Sequence, residues 1–176
     1  MAERKFGFAV AALVFILDQL TKWVVTGPLG INAIGDQLEI IPIFNLTYTE
    51  NFGISLGLFQ ANSALGQWLL IAVTGAIAAG VAYWIGREKQ RFDQVALGMV
   101  LGGALGNILD LARFGHVVDF ADLHFGDFRP FLIFNVADAA ISIAVVIMLL
   151  RAFLPGKDAD EIRAKGQEPR ETIDHA

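Results

Sequence analysis

The stretch "VALGMVLGGALGNILDL", residues 95–111, decides the fold, because it is apolar enough to cross a membrane yet contains two polar side chains. Three glycines recur in it every four residues: Gly98, Gly102 and Gly106. Such spacing most simply indicates a helix face that packs closely against another helix, since small residues let backbones approach. Asn107 and Asp110 follow about one turn apart. The stretch therefore predicts a close-packed membrane helix with a polar outer end.

The composition of the whole chain is that of a membrane protein. Of its 176 residues, 55% are hydrophobic and only 18% charged, and the mean hydropathy is +0.56; globular proteins average about 25% charged residues. The absence of cysteine excludes disulfides, a cysteine nucleophile and thiolate metal ligands. No basic surface, P-loop or Rossmann glycine motif is present, so we expect no nucleic-acid partner.

Four stretches reach the roughly 20 apolar residues that a bilayer requires. They cover residues 6–25, 68–85, 95–111 and 134–153. We predict one integral membrane domain over residues 1–154 and a polar, disordered cytoplasmic tail over residues 155–176.

Basic residues predict the orientation of the four spans. Ten of the 13 Lys and Arg residues lie before the first span, between the second and third, or at and beyond the C-terminal end of the fourth. Because cytoplasmic segments are enriched in Lys and Arg, both termini and the 87–94 loop are expected in the cytoplasm. Residues 26–67 and 112–133 are then expected outside.

The two outward segments have different patterns. Residues 38–49, "LEIIPIFNLTYT", are β-branched and aromatic between turn signals, which predicts a strand or hairpin on the membrane surface. Residues 112–133 contain "GHVVDFADLH" and aromatic residues suited to the membrane interface. We expect this second segment to be a loop that carries functional residues.

Polar residues from separate segments are predicted to share one depth. On straight helices, Asp18 lies about 18 Å from the inner end of the first span, and Asn107 and Asp110 lie about 18–22 Å along the third. The complete set is Asp18, Lys22, Asn107, Asp110, Asp119 and Asp138. A charge at the centre of a membrane helix costs about 2.5–3.5 kcal/mol, so such residues usually face a cavity or a partner. The outer third of the bilayer is therefore the predicted site.

Asp119 and Asp138 are the candidates for chemistry. Two nearby carboxylates do not both ionise easily, so one keeps a proton, and the pair can combine a general base with a general acid. The alternative is two interfacial acids, one of which caps the fourth span. Asp18 and Lys22 could likewise only pair with each other at i,i+4.

A metal site is a rival interpretation of the same motif. Its ligands would be His116, Asp119, Asp122 and His124. Their spacing lacks the helical H-E-x-x-H signature, and no matching ligand set occurs elsewhere, so we expect no metal.

Five motifs in order resemble the lipoprotein signal peptidases, or signal peptidase II. They are "DQLTKW", "NFGISLGLF", "GGALGNILD", "GHVVDF" and "FNVADAAI". The resemblance covers about residues 15–150. It implies an α-helical membrane protein with four transmembrane helices, a small extracytoplasmic β-cradle formed by residues 26–67, and a short outer amphipathic helix. It also implies a monomeric, cofactor-free aspartic endopeptidase of the bacterial inner membrane, which cuts prolipoproteins before a diacylglyceryl-modified cysteine.

The resemblance also assigns residues. Asp119 and Asp138 match the catalytic pair, and Asp18 and Lys22 match the motif of the first span. Positions that line or brace the family's site are matched by Asn51, Gly53, Asn107, Asp110, Asn135 and Ala137. The family pattern G-N-x-x-D-R is broken at its last position, where this chain has Leu111. We expect Arg113, two residues further on, to substitute in part.

Two other classes of function remain as alternatives. A small proton- or ion-coupled carrier could use the same acids as a relay, but it would need polar residues through the full depth of the membrane. A non-catalytic membrane scaffold would be unaffected by loss of both acids.

Overall fold

The computed structural model describes residues 4–53 and 64–153. Its helices are α1 (Arg4–Thr26), α2 (Ala64–Ile85), α3 (Arg91–Phe114) and α4 (Val136–Phe153). Each is long and apolar enough to cross a membrane, which confirms the four predicted spans. The predicted disordered tail, and most of the "NFGISLGLF" motif, lie outside the described residues.

Helix α3 packs closely against α1 and α4 because its glycines leave no room for side chains. A Cβ on Gly98 would collide with the carbonyl oxygen of Gly7, and one on Gly102 with that of Ala11. A Cβ on Gly103 would lie 2.7 Å from the carbonyl oxygen of Ala137 in α4. The predicted glycine packing face is therefore confirmed, and α3 is the central helix of the bundle.

Polar contacts connect the helices at the end of the bundle opposite the candidate site. The buried side chain of Gln94 accepts a 3.2 Å hydrogen bond from the backbone N–H of Gly7 and donates one of 2.9 Å to the carbonyl of Glu88. The guanidinium of Arg151 in α4 forms a 2.7 Å ion pair with Asp93 in α3. These contacts hold α1, α3 and α4 together at the end of the bundle away from Asp18 and Asp110.

A three-stranded antiparallel sheet covers the other end. Strands β1 (Gln37–Ile41) and β2 (Phe44–Asn51) form the hairpin predicted over residues 38–49, and β3 (Val117–Leu123) pairs with β2. The predicted cradle is present, but it is not confined to residues 26–67. Its third strand, β3, lies within residues 112–133 and pairs with β2, about 70 residues earlier in the chain.

The sheet packs on the C-terminal end of α1. Its core contains Val25 and Ile31 from the end of α1 and the turn after it, with Tyr48 from β2 and Val118 and Phe120 from β3. Gly115, at φ 83°, ends α3 in the left-handed conformation and turns the chain into β3. The described residues within 26–67 and 112–133 contain no separate amphipathic helix; residues 54–63 are not among them.

Candidate active site

Asn135 and Asp138 form the N-terminal cap of α4. The Oδ1 of Asn135 accepts a 2.9 Å hydrogen bond from the backbone N–H of Asp138, and the backbone N–H of Asn135 donates to Asp138 Oδ2 at 3.4 Å. This reciprocal arrangement is a capping box. The alternative in which Asp138 only caps the fourth span is thus correct about the cap, and the remaining contacts decide whether the cap is all that it does.

The same Asn135 also contacts Asp119. Its Nδ2 donates a 2.6 Å hydrogen bond to Asp119 Oδ1, while Asn51 Nδ2 donates one of 2.9 Å to Asp119 Oδ2. Asp119 is 1% exposed and lies in β3, beside Thr49 of β2. One asparagine thus joins a carboxylate on the sheet to a carboxylate at the start of a helix.

The surroundings of Asp119 favour its protonated form. Burial, followed by the negative charge of Asp138, raises the pKa of Asp119 to about 7, although hydrogen bonds from Asn51 and Asn135 and the charge of Lys22 act in the opposite direction. A carboxyl whose pKa is near the working pH can both give and take a proton. This is the behaviour that a pair of carboxylates sharing one proton requires.

Lys22 is the centre of a buried polar cluster behind this pair. Its Nζ lies 2.8 Å from Asp18 Oδ2 and 2.6 Å from Asp110 Oδ2, and it donates a 3.2 Å hydrogen bond to Asn107 Oδ1. Asn107 Nδ2 in turn donates to Asp138 Oδ1 at 2.9 Å. Asp18 and Lys22 therefore do not pair only with each other, because the cluster extends from α1 through α3 to Asp138.

The carboxylates of this cluster also hold the backbone that carries the pair. Asp18 Oδ1 accepts a 3.0 Å hydrogen bond from the N–H of Ala137, next to Asp138, and Asp110 Oδ2 accepts one of 3.2 Å from the N–H of Val118, next to Asp119. Helices α1 and α3 thereby fix the first turn of α4 and the start of β3.

Gln19 belongs to this cluster, although the sequence analysis did not assign it a role. Its Nε2 donates to Asp18 Oδ2 at 3.1 Å and to Asp110 Oδ1 at 3.0 Å. The residue lies inside the quoted "DQLTKW" motif, but only the crossing of α1 and α3 shows that its amide reaches both carboxylates.

Asp119 lines a groove of about 660 Å³. One side is the end of β2, where Asn51 Oδ1 accepts a 2.8 Å hydrogen bond from the N–H of Gly53, which has φ 81°. The other side is the segment 129–133, in which Phe131 and Leu132 are exposed. The groove therefore combines a carboxyl group with an exposed apolar side.

Arg113 is placed away from this groove. It lines a separate cavity of about 290 Å³ together with Lys22, Asp110 and His116, and its guanidinium lies 4.9 Å from the ring centroid of Phe114. Within the described residues it makes no hydrogen bond or ion pair to Asp119 or Asp138. The predicted substitution for the missing motif arginine therefore stays a prediction without a direct contact.

The rival metal cluster is not assembled. His116 Nε2 lies 3.3 Å from Tyr48 Oη, Asp122 pairs with Arg129, and both ring nitrogens of His124 are buried without a hydrogen-bond partner among the described residues. Residues 4–53 and 64–153 contain no group of three or more His, Cys, Asp or Glu side chains arranged to hold a metal ion.

The chain is similar to known proteins in family, in sequence and in fold. The family described as Signal peptidase (SPase) II matches residues 10–154. The lipoprotein signal peptidase of Sphingopyxis alaskensis is 55% identical over 161 residues, covering 92% of each chain, and that of Rhizorhabdus wittichii is 54% identical over 152 residues, covering 86% of this chain and 88% of the relative. A bacterial membrane enzyme solved by the in meso method at 1.9 Å resolution superposes with a TM-score of 0.72 at 31% identity, covering 85% of this chain and 94% of the other.

Proposed function

Because the chain belongs to the signal peptidase II family, and is thus an aspartic endopeptidase that removes signal peptides from prolipoproteins, we propose that Asp119 and Asp138 are its catalytic pair. The single observation that carries this assignment is the contact of Asn135 with both carboxylates. That contact holds the two acids beside each other, and Asp119 lines the groove, where a substrate can reach it.

The proposed reaction needs one proton shared by the pair. The ionised carboxylate takes a proton from water as the water oxygen attacks the carbonyl carbon of the scissile bond, and the protonated carboxyl donates its proton to the carbonyl oxygen. The tetrahedral diol then collapses: the C–N bond breaks, the first carboxyl protonates the leaving nitrogen, and the second regains its proton from a hydroxyl. The products are a carboxylic acid on the signal peptide and a free amine on the mature protein.

The residues behind the pair are proposed to position it. Lys22 compensates the buried charges of Asp18 and Asp110, and Asn107 orients Asp138 through its 2.9 Å hydrogen bond. Such supporting contacts fix reactive groups in their productive geometry, where small displacements are costly. Asn51, Gly53, Asn135 and Ala137 complete this supporting set, and Arg113 is retained in it as a prediction.

The substrate is proposed to be a prolipoprotein whose cysteine carries diacylglyceryl, with cleavage just before that cysteine. The exposed Phe131 and Leu132 on one side of the groove suit acyl chains, and the peptide can pass between this side and the end of β2. A proton- or ion-coupled carrier is not supported, since the family and its named relatives are peptidases.

The chain is a multi-pass membrane protein, and we place it in the bacterial inner membrane with both termini in the cytoplasm. The distribution of Lys and Arg supports this orientation, which puts Asp119 and Asp138 near the outer face. We propose a monomer, because a single chain supplies both carboxylates and all of the supporting contacts described.

The test is cleavage of a synthetic diacylglyceryl precursor peptide by the purified chain, with mass spectrometry of both products. The proposal expects a mature fragment that begins with the lipid-modified cysteine, and much slower cleavage of the same peptide without diacylglyceryl. Equal cleavage of the two peptides would contradict the proposed lipid requirement. A cut at any other bond would contradict the proposed position.

A further inference from the structure

The segment after β3 places an arginine in the substrate groove. Arg129 Nε lies 3.1 Å from Asp122 Oδ1, and its Nη2 lies 3.4 Å from Asp122 Oδ2, so two of the five N–H donors of the guanidinium are directed to one carboxylate. Asp122 is 1% exposed and also accepts a 3.2 Å hydrogen bond from Thr47 Oγ1. The carboxylate is thus fixed from two sides, and it fixes the arginine in turn.

The other edge of the same guanidinium is open. The Arg129 side chain is 53% exposed, and the residue lines the groove on which Asp119 opens. Among the described residues that line this groove, Arg129 is the one cation, whereas Glu50 and Asp119 are acids. A rigidly held cation with free N–H donors therefore faces the space that a substrate occupies.

No other cation among the described residues replaces it there. Leu111 stands at the motif position of an arginine and is 4% exposed. Arg113 lines the separate cavity on Lys22 and Asp110, and Lys22 is 5% exposed, with its ammonium directed to Asp18, Asp110 and Asn107.

We propose that Arg129, held by Asp122, is a substrate-positioning residue that donates hydrogen bonds to carbonyl oxygens of the precursor beside the scissile bond. The inference rests on the proposed function. A guanidinium is suited to this task because it is planar, always charged, and offers its donors in a fixed fork. Carbonyl oxygens occur both in the peptide main chain and in the esters of diacylglyceryl, and both reach the groove on one substrate.

The competing explanation is that Arg129 only neutralises the buried charge of Asp122. Removing the partner of a buried carboxylate is destabilising in itself. The two explanations differ in what happens when both charges are removed together, because the neutral amide of Asp122→Asn needs no compensating arginine.

The first measurement is the steady-state kinetics of Arg129→Gln and Arg129→Lys on the lipidated precursor. Loss of charge-assisted hydrogen bonds to substrate should raise KM about 10- to 100-fold with kcat little changed, since the bonds form before the chemical step. Arg129→Lys keeps the charge but loses the fork and should show part of this effect. Arg87→Gln, an exposed arginine at the opposite end of the bundle, should leave KM unchanged.

The second measurement separates positioning from neutralisation. If Arg129 positions the substrate, the double variant Arg129→Gln/Asp122→Asn keeps the high KM of Arg129→Gln and unfolds at the wild-type temperature. Return of KM to the wild-type value in the double variant would overturn the proposal. So would a fall in kcat without a change in KM. If Arg129→Gln alone does not fold, the KM values of the double variant and of Arg129→Lys distinguish the two explanations instead.

Binding distinguishes failure of this inference from failure of the proposed function. In the Asp119→Asn background, the dissociation constant of a fluorescent diacylglyceryl precursor should rise about 10- to 100-fold on adding Arg129→Gln, whether or not the chain cleaves. An unchanged dissociation constant would contradict the proposed role of Arg129 but not the proposed function of the chain. The same titration with an ether-linked analogue, which lacks ester carbonyls, assigns the contact: a persisting effect indicates the peptide main chain, and loss of the effect indicates the lipid esters.

Discussion

The side-chain amide of Asn135 donates a 2.6 Å hydrogen bond to Asp119 Oδ1 while its carbonyl oxygen accepts from the backbone of Asp138. Asn135 is thus the N-cap of α4 and a hydrogen-bond donor to the sheet at the same time. The position at which α4 begins therefore sets the separation of the two carboxylates. The capping of α4 and the placement of the proposed catalytic pair therefore depend on one side chain.

Replacing Asn135 with Ala should strongly lower kcat while lowering the free energy of unfolding only modestly. Loss of an N-cap costs about 0.5–2 kcal/mol, whereas release of Asp119 and Asp138 from their common partner should reduce kcat at least about 100-fold, because small displacements at the reacting groups are costly. Steady-state cleavage and thermal unfolding in detergent check this. Asn32→Ala, at an exposed asparagine, is the matched control. A stable Asn135→Ala variant with normal kcat would refute the bridging role.

Activity should fall as the pH rises through about 7. Burial and Asp138 raise the pKa of Asp119 to about 7. Above that pH the pair loses its shared proton, and both carboxylates are ionised, so no general acid remains. The profile of kcat/KM against pH should show this alkaline limb.

Asn51→Ala should move the limb to higher pH, since its hydrogen bond to the carboxylate lowers the pKa of Asp119. A profile that stays flat up to pH 9 would contradict a shared proton.

Lys22→Met should be one of the most destabilising substitutions in the chain. It leaves the carboxylates of Asp18 and Asp110, which are 0% and 1% exposed, without their common cation. Breaking a buried ion pair from one side costs about 3–5 kcal/mol. The unfolding temperature in detergent measures the effect. Adding Asp18→Asn and Asp110→Asn should restore part of the stability. If Lys22→Met unfolded at the wild-type temperature, the cluster would not be a buried group of charges.

Gly102→Ala should destabilise the bundle although alanine favours helices. The added Cβ would overlap the carbonyl of Ala11, so α1 and α3 must move apart; overpacking typically costs about 1–3 kcal/mol. Gly80→Ala in α2 is the matched control, because nothing lies within 4 Å of its Cβ position, and the substitution should be neutral or stabilising by up to about 1 kcal/mol. Equal unfolding temperatures for the two variants would contradict the close contact of α1 and α3.

The features predicted correctly from sequence are those that local patterns determine. Apolar length predicts the four spans, glycine spacing predicts the packing face of α3, and the rise per residue predicts that Asp18, Lys22 and Asp110 share a depth. Each of these depends on residues within one helix or on the geometry of a regular helix, so no tertiary information is required.

The missed features depend on pairing between distant segments. β3 was interpreted as a loop because its partner, β2, lies about 70 residues earlier. The role of Asn135 in the cap of α4 was missed because a span starting at about residue 134 would put Asn135 inside the helix, whereas α4 begins at Val136. The contact of Arg129 with Asp122 likewise requires the loop after β3 to fold back over the strand.

Asp119 and Asp138 are proposed to act as one catalytic unit. The most direct measurement is the cleavage rate of the lipidated precursor by Asp119→Asn, Asp138→Asn, the double variant and Asp93→Asn, a carboxylate control at the opposite end of α3. Each single variant should lose at least about 10²–10⁴ in rate, and the double variant should be hardly slower than either, because residues that act together are not additive. The single variants and the double variant should unfold near the wild-type temperature, whereas Asp93→Asn weakens the ion pair with Arg151 and should unfold at a somewhat lower temperature while keeping its activity. Robust cleavage by a folded Asp119→Asn or Asp138→Asn protein would contradict the account.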